Sequence, residues 1–184
     1  MVRIIYKILV LGDYNVGKST LFQQFEKSIP GAHRKPSIKL DLIEFTRTIQ
    51  GEQITVHLFD IPGRELSNAN RSKHYLGAHG AFVIFDICSP NSFRHAPFWI
   101  EELMNYNGYG KVPIALIGNK SDLRATSQRT LNPIDAKEYV FRLNRSTNRE
   151  NVENHFFEIS SKSGKGLPMI VDKLLESIYK QRNS

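Results

Sequence analysis

One cysteine in 184 residues is too few for a disulfide framework or a cysteine-ligated zinc site. That residue, Cys88, lies in an apolar stretch and suits a reducing compartment. No apolar run approaches the roughly 18 residues of a membrane span, and no leading segment has the charged, apolar and small-residue order of a signal peptide. A soluble chain is expected. Blocks of one charge are missing too: the net charge is +7, but the lysines and arginines are scattered. That pattern reads as a solvated basic surface rather than a nucleic-acid footprint. With no internal repeat and no low-complexity tail, residues 1–184 fit one domain large enough to bury its own core.

What is present is a rhythm of buried strands and amphipathic helices. Residues 4–11 are apolar almost without break, as in a strand covered on both faces of a parallel sheet. Residues 12–17 supply a turn, and 18–25 a short helix with Leu21, Phe22 and Phe25 on one side. Leu40, Leu42 and Phe45 open a second strand, Gln50-Gly51-Glu52 turns, and Ile54, Val56 and Leu58 alternate along a third that pairs with it as a hairpin. Runs at 81–86 and 114–118, and a weaker one at 156–159, complete six strands. Ser89-Pro90 and Asn132-Pro133 each place a capping side chain before a proline at the first helical position. The stripe Leu167, Ile170, Val171, Leu174 and Ile178 marks a last helix packed on the sheet. Residues 145–154 read as a polar surface loop. The expected class is α/β: a six-stranded, mostly parallel sheet with one antiparallel hairpin strand and helices on both faces.

Chemistry concentrates between these elements. Gly12-Asp13-Tyr14-Asn15-Val16-Gly17-Lys18-Ser19 fits G-x-x-x-x-G-K-[ST], follows a buried strand and opens a helix whose next residue is Thr20. Backbone N–H groups of such a loop converge on phosphate oxygens, the lysine reaches the outer phosphates and the serine hydroxyl can ligate magnesium. An ordinary glycine turn beside a lysine is the bland alternative. Asn119-Lys120-Ser121-Asp122, followed by Leu123, stands at the carboxyl end of a strand, where open α/β sheets bind ligands. A carboxylate there accepts two hydrogen bonds from guanine's ring N–H and exocyclic amine. Adenine offers no such donor pair and would leave Asp122 unsatisfied. Asp60-Ile61-Pro62-Gly63 ends the third strand with a carboxylate able to hold magnesium through water and a glycine N–H able to meet a terminal phosphate. Asp60 as a plain capping residue is the competing reading.

In order, GDYNVGKS, PSI, DIPG, NKSD and EISSK resemble the five nucleotide-contact motifs of Ras-superfamily GTPases, and 75–87 looks most like the Rab branch. The resemblance covers nearly the whole chain. It implies a guanine-nucleotide switch and GTPase that binds GTP or GDP with Mg2+, signals and serves vesicle traffic. Ser37 takes the place of the first-switch threonine that binds magnesium and the terminal phosphate. Ser160-Ser161-Lys162 takes the place of a loop whose N–H groups face the guanine oxygen. Loss of the terminal phosphate would release Ser37 and Gly63 and let the switch loops, around 34–40 and 61–75, change shape. Effector proteins, an exchange factor and an activator are the implied partners, with no nucleic acid. A cytoplasmic monomer, at most peripheral to membranes, is expected.

Several residues depart from the family pattern. Arg64 stands where glutamine usually orients the attacking water, and an arginine accepts no hydrogen bond. Slow hydrolysis is expected. Tyr14 and Asn15 occupy positions that favour small residues, so Tyr14 either blocks an incoming activator arginine or swings outward harmlessly. Arg34, three residues before Ser37, is either an arginine supplied in cis to the transferring phosphoryl group or part of a basic loop, His33-Arg34-Lys35, that meets an acidic partner. Ser28-Ile29-Pro30 lacks the aromatic residue that usually lies beneath the base, so either the nucleotide leaves faster or Ile29 covers the base less effectively. The last residues, Lys180-Gln181-Arg182-Asn183-Ser184, hold no prenylation motif. The expectation is either a lost lipidated end or membrane contact through partners and weak basic charge. Two other functions compete: a near-inert binding module of the same fold, and a P-loop kinase or ATPase, against which Asp122 speaks.

Overall fold

The computed structural model describes residues 4–36, 40–62 and 71–183. Its plan follows from the first strand, β1 (Ile4–Gly12), whose side chains divide between two cores. Ile8 and Val10 join one buried cluster, Leu9 and Leu11 the other. A strand buried on both faces must lie inside a sheet with layers above and below. Around β1 the order is β2-β3-β4-β1-β5-β6-β7. The strands are β2 (His33–Lys35), β3 (Leu42–Ile49), β4 (Glu52–Asp60), β5 (Gly80–Asp86), β6 (Ile114–Asn119) and β7 (His155–Glu158). β1 pairs in parallel with β4 and β5, and the parallel order continues through β6 to β7. β3 and β4 form the expected hairpin through the Gln50-Gly51 turn, where both residues take positive φ.

Helix α1 (Lys18–Ser28) and helix α4 (Leu167–Arg182) cover one face. They bury Leu21, Phe22 and Phe25 with Ile170, Leu174 and Ile178 against Ile8, Val10 and Ile84. Helix α2 (Pro90–Tyr106) and helix α3 (Pro133–Thr147) cover the other through Ala96, Trp99, Leu103, Ala136 and Val140. Each fully buried aliphatic or aromatic side chain contributes about 1.5–3 kcal/mol.

Among the described residues the sheet has seven strands rather than the six expected. β2 carries His33-Arg34-Lys35 antiparallel to β3 at the sheet edge. Its three residues have no apolar alternation; they are held instead by charge, Lys35 Nζ lying 2.7 Å from Glu44 Oε1. The expected loop at 145–154 is also corrected. α3 runs on to Thr147, a short 3-10 turn covers Asn148–Glu150, and Thr147, Val152 and Asn154 are buried. Hydrogen bonds explain why polar residues tolerate that burial: Thr147 Oγ1 has the Leu143 and Val152 carbonyl oxygens as alternative acceptors for its one proton and accepts from Asn154 Nδ2, which also donates to Asn144 Oδ1. Of the two expected helix caps, Asn132 accepts from the Ile134 N–H, whereas Ser89 makes no side-chain capping bond. No helix among the described residues is long and apolar enough to cross a membrane.

Candidate nucleotide site

The carboxyl ends of the parallel strands bring the site together. β1 runs into 12–17, β4 ends on Asp60, β6 ends on Asn119, and Ser160 to Lys162 follow β7. The pairing Val10↔Asp60 sets that carboxylate beside the loop leaving β1.

The loop from Gly12 to Gly17 bends where side chains do not fit. A Cβ on Gly12 would stand 2.3 Å from the Ile84 carbonyl oxygen, and one on Gly17 2.3 Å from Asn119 Nδ2, both residues at positive φ. Asn15 also takes a left-handed backbone. Lys18 arches back over the loop, its Nζ donating to Gly12 O at 2.8 Å and Asp13 O at 2.6 Å. α1 begins on Gly17 with no side-chain cap and no acidic residue in its first turn, and Ser19 and Thr20 are exposed there. Its first N–H groups thus present a positive dipole end to an anion. Val16 is buried under the loop, while Tyr14 is 73% exposed.

Asn119 joins this loop to the other two. Its Nδ2 donates to Val16 O at 2.8 Å and to Ser161 Oγ at 3.2 Å, and its Oδ1 accepts from Ser161 N at 2.9 Å. Lys120, in the left-handed region, lies across the loop with Nζ donating to Asn15 O at 2.9 Å and paired with Asp86 Oδ2 at 2.7 Å. Asp122 stands in the 3-10 turn Ser121–Leu123, whose Leu123 is half-buried. Its oxygens accept from Lys162 Nζ at 2.8 Å and Ser160 Oγ at 2.7 Å. Those two donors hold its carboxyl below the usual aspartate range, so it stays an acceptor at physiological pH.

Ser19 is exposed at the start of α1 and Asp60, one oxygen of which is buried, ends β4; a hydroxyl and a carboxylate are both hard oxygen donors. Ser37, Gly63 and Arg64 lie outside the described residues. Arg34 is described: its Nε donates to Glu26 Oε2 at 2.8 Å, Nη1 lies 3.8 Å from Asp41 Oδ2, and the guanidinium sits over the Phe22 ring. Ile29 is a core residue, 2% exposed, and so is not a cover for a base.

Sequence reasoning missed three partners of the loop. Asp86 fixes Lys120, while Trp99 Nε1 donates to Asp13 Oδ1 at 2.9 Å and His95 Nδ1 lies 2.5 Å from Asp13 Oδ2. A single tryptophan on the buried face of a helix was the available signal, because a buried indole N–H needs an acceptor.

The Ras family model matches residues 7–180, almost the full chain. The chain belongs to the Ras family. Its curated relatives place it in the Rab branch. Ras-related protein RabC of Dictyostelium discoideum is 29% identical over 178 residues, covering 96% of this chain and 85% of its own. Ras-related protein RABA4b of Arabidopsis thaliana is 36% identical over 158 residues, covering 83% and 69% respectively. Ras-related protein Rab-11A of Dictyostelium discoideum is 32% identical over 177 residues, covering 95% and 76%. Membership of the Ras family places the chain among the small GTPase switches.

Proposed function

We propose that the chain binds GTP and GDP with Mg2+, hydrolyses GTP slowly, and signals by presenting residues around 34–40 and 61–75 to effector proteins. One observation carries the reading: Asn119 and Lys120 tie the loop that suits phosphates to the segment bearing an ionised Asp122. Phosphate tail and purine head are thereby taken by one structural unit. The N–H groups of 13–20, with Lys18, hold the phosphates; Asp122 accepts the two guanine donors; Ser160, Ser161 and Lys162 support the base loop. Ser19, Ser37 and Asp60 would hold the magnesium, which supplies charge neutralisation at the outer phosphates.

Slow turnover follows from Arg64, which cannot orient the attacking water as an acceptor. For Arg34 the contact with Glu26 favours the basic-loop role over a cis arginine, and Arg34→Ala is expected to leave hydrolysis unchanged. The expected setting is the cytoplasm and the membrane periphery, in vesicle traffic, with an exchange factor and an activator as further partners.

The test begins by heat-denaturing the purified protein and identifying the released nucleotide by chromatography. Guanine nucleotide is expected, and ATP should not compete with labelled GDP; equal competition removes the guanine assignment. Single-turnover hydrolysis should then rise about tenfold or more in Arg64→Gln, the scale on which transition-state contacts act in such enzymes. An unchanged rate would show that Arg64 is not the brake.

A further inference from the structure

We propose that Trp99 is a positioning residue that couples the phosphate loop to the end of the second switch segment, an inference that rests on the nucleotide-binding reading above. Asp13 faces two ways. Its carbonyl accepts from Lys18 Nζ, the group expected on the outer phosphates, and its carboxylate, 14% exposed, accepts from Trp99 and pairs with His95 on α2.

On its ring face Trp99 carries the Arg71 guanidinium, 4.6 Å from the centroid. Arg71 grips Glu102, three residues on from Trp99 along α2, with Nε to Oε2 and Nη2 to Oε1 both at 3.0 Å. Tyr75 Oη donates to the same Oε2 at 2.8 Å. Burial of Tyr75 and the neighbouring Glu102 carboxylate push the phenol well above its usual range, so it remains a donor. Trp99, Arg71, Glu102 and Tyr75 are all less than 7% exposed.

Such a chain admits few arrangements. A buried indole N–H loses its acceptor if Asp13 moves, and a buried ion pair has strict geometry and adds orientation more than net stability. Asp13 lies between Lys18 and Trp99, so a shift of the loop that accompanies a change at the outer phosphates moves the indole's acceptor beneath Arg71. Arg71 and Tyr75 close the segment 61–75 that the switch reading offers to partners. Coupling energies along such contiguous contacts correspond to changes of about 2-fold to 30-fold.

Because Trp99 is the sole tryptophan, indole emission reports on its surroundings alone. Emission and acrylamide quenching should differ between the GDP and non-hydrolysable GTP-analogue states. Glu102→Gln should speed release of labelled GDP about 3-fold to 10-fold, a change that shrinks below about 2-fold in the Trp99→Phe background. Circular dichroism melts confirm that each variant is folded, and Tyr75→Phe replaces Glu102→Gln should that one unfold. A merely structural Trp99 would lower the melting point without this dependence on background. Equal acceleration in both backgrounds, or identical Trp99 emission in both nucleotide states, overturns the coupling. Failure of wild type to bind labelled GDP at all overturns the nucleotide reading first, and the coupling with it.

Discussion

On the side covered by α1 and α4, the sheet meets Leu21, Phe22, Phe25, Leu174 and Ile178, and the packing is largely hydrocarbon on hydrocarbon. Across the sheet, α2 lays Trp99 and Leu103 on Leu9 and Leu11 but also brings in Glu102, with Arg71 and Tyr75 arriving from the chain before β5. Beyond the helices the same face continues into charge: the register Lys7↔His57, His57↔Glu44 and Glu44↔His33 sets one ionisable row across four strands. Apolar packing is non-directional and holds the sheet whatever is bound. Buried hydrogen-bonded charge is directional, so the α2 face holds its parts in one arrangement at a cost in desolvation.

The sharpest way to break that contrast is to remove half of the buried pair. Arg71→Met should cost about 3–5 kcal/mol in urea unfolding, because Glu102 is left buried without its guanidinium partner. Replacing all three partners, as Arg71→Met with Glu102→Leu and Tyr75→Phe, should recover most of it. A triple variant as unstable as the single one would show that the network is an ordinary source of stability.

Leu174→Ala on the opposite face should cost roughly 3 kcal/mol through its cavity, lowering the melting temperature by roughly 6–12 °C. GDP release, measured on the folded variant, should not change. Faster release would mean that the apolar face also informs the site.

The smallest effect concerns Glu44. Lys35 and then His57 hold its carboxyl down, from an ordinary 4.5 to about 2. A carboxyl depressed by folding contributes stability that is complete above pH 4.5 and is lost as pH falls toward 2. Glu44→Gln should therefore be about 1–2 kcal/mol less stable than wild type at neutral pH, with the gap closing on acidification through that window. A gap independent of pH would point to lost packing instead of lost charge.

Much of this was legible in the chain itself. β1, α1 and α4 announced themselves because their apolar residues follow the periods of strand and helix. The loop from Gly12 to Ser19 and the segment from Asn119 to Asp122 stood out because each sits where a buried strand ends. Three features were not legible. β2 is held by ion pairs between residues distant in sequence, which leave no period. Residues 145–154 looked solvated because Thr147 and Asn154 are polar, and only their hydrogen-bond partners justify burying them. The contact between Asp13 and Trp99 spans 86 positions and follows no spacing rule. Ile29 was misjudged for a related reason: an isoleucine near a binding loop still goes to the core when a core position is open.

Asn119 leaves a last consequence. With one amide it fastens Val16 and Ser161, so neither edge of the cleft can settle while the other is adrift. A ligand cut into guanosine and pyrophosphate would show this, since each half must organise the whole edge for itself. Rejoined, the halves share that organisation, and the intact nucleotide should bind more tightly than the product of its fragments' affinities.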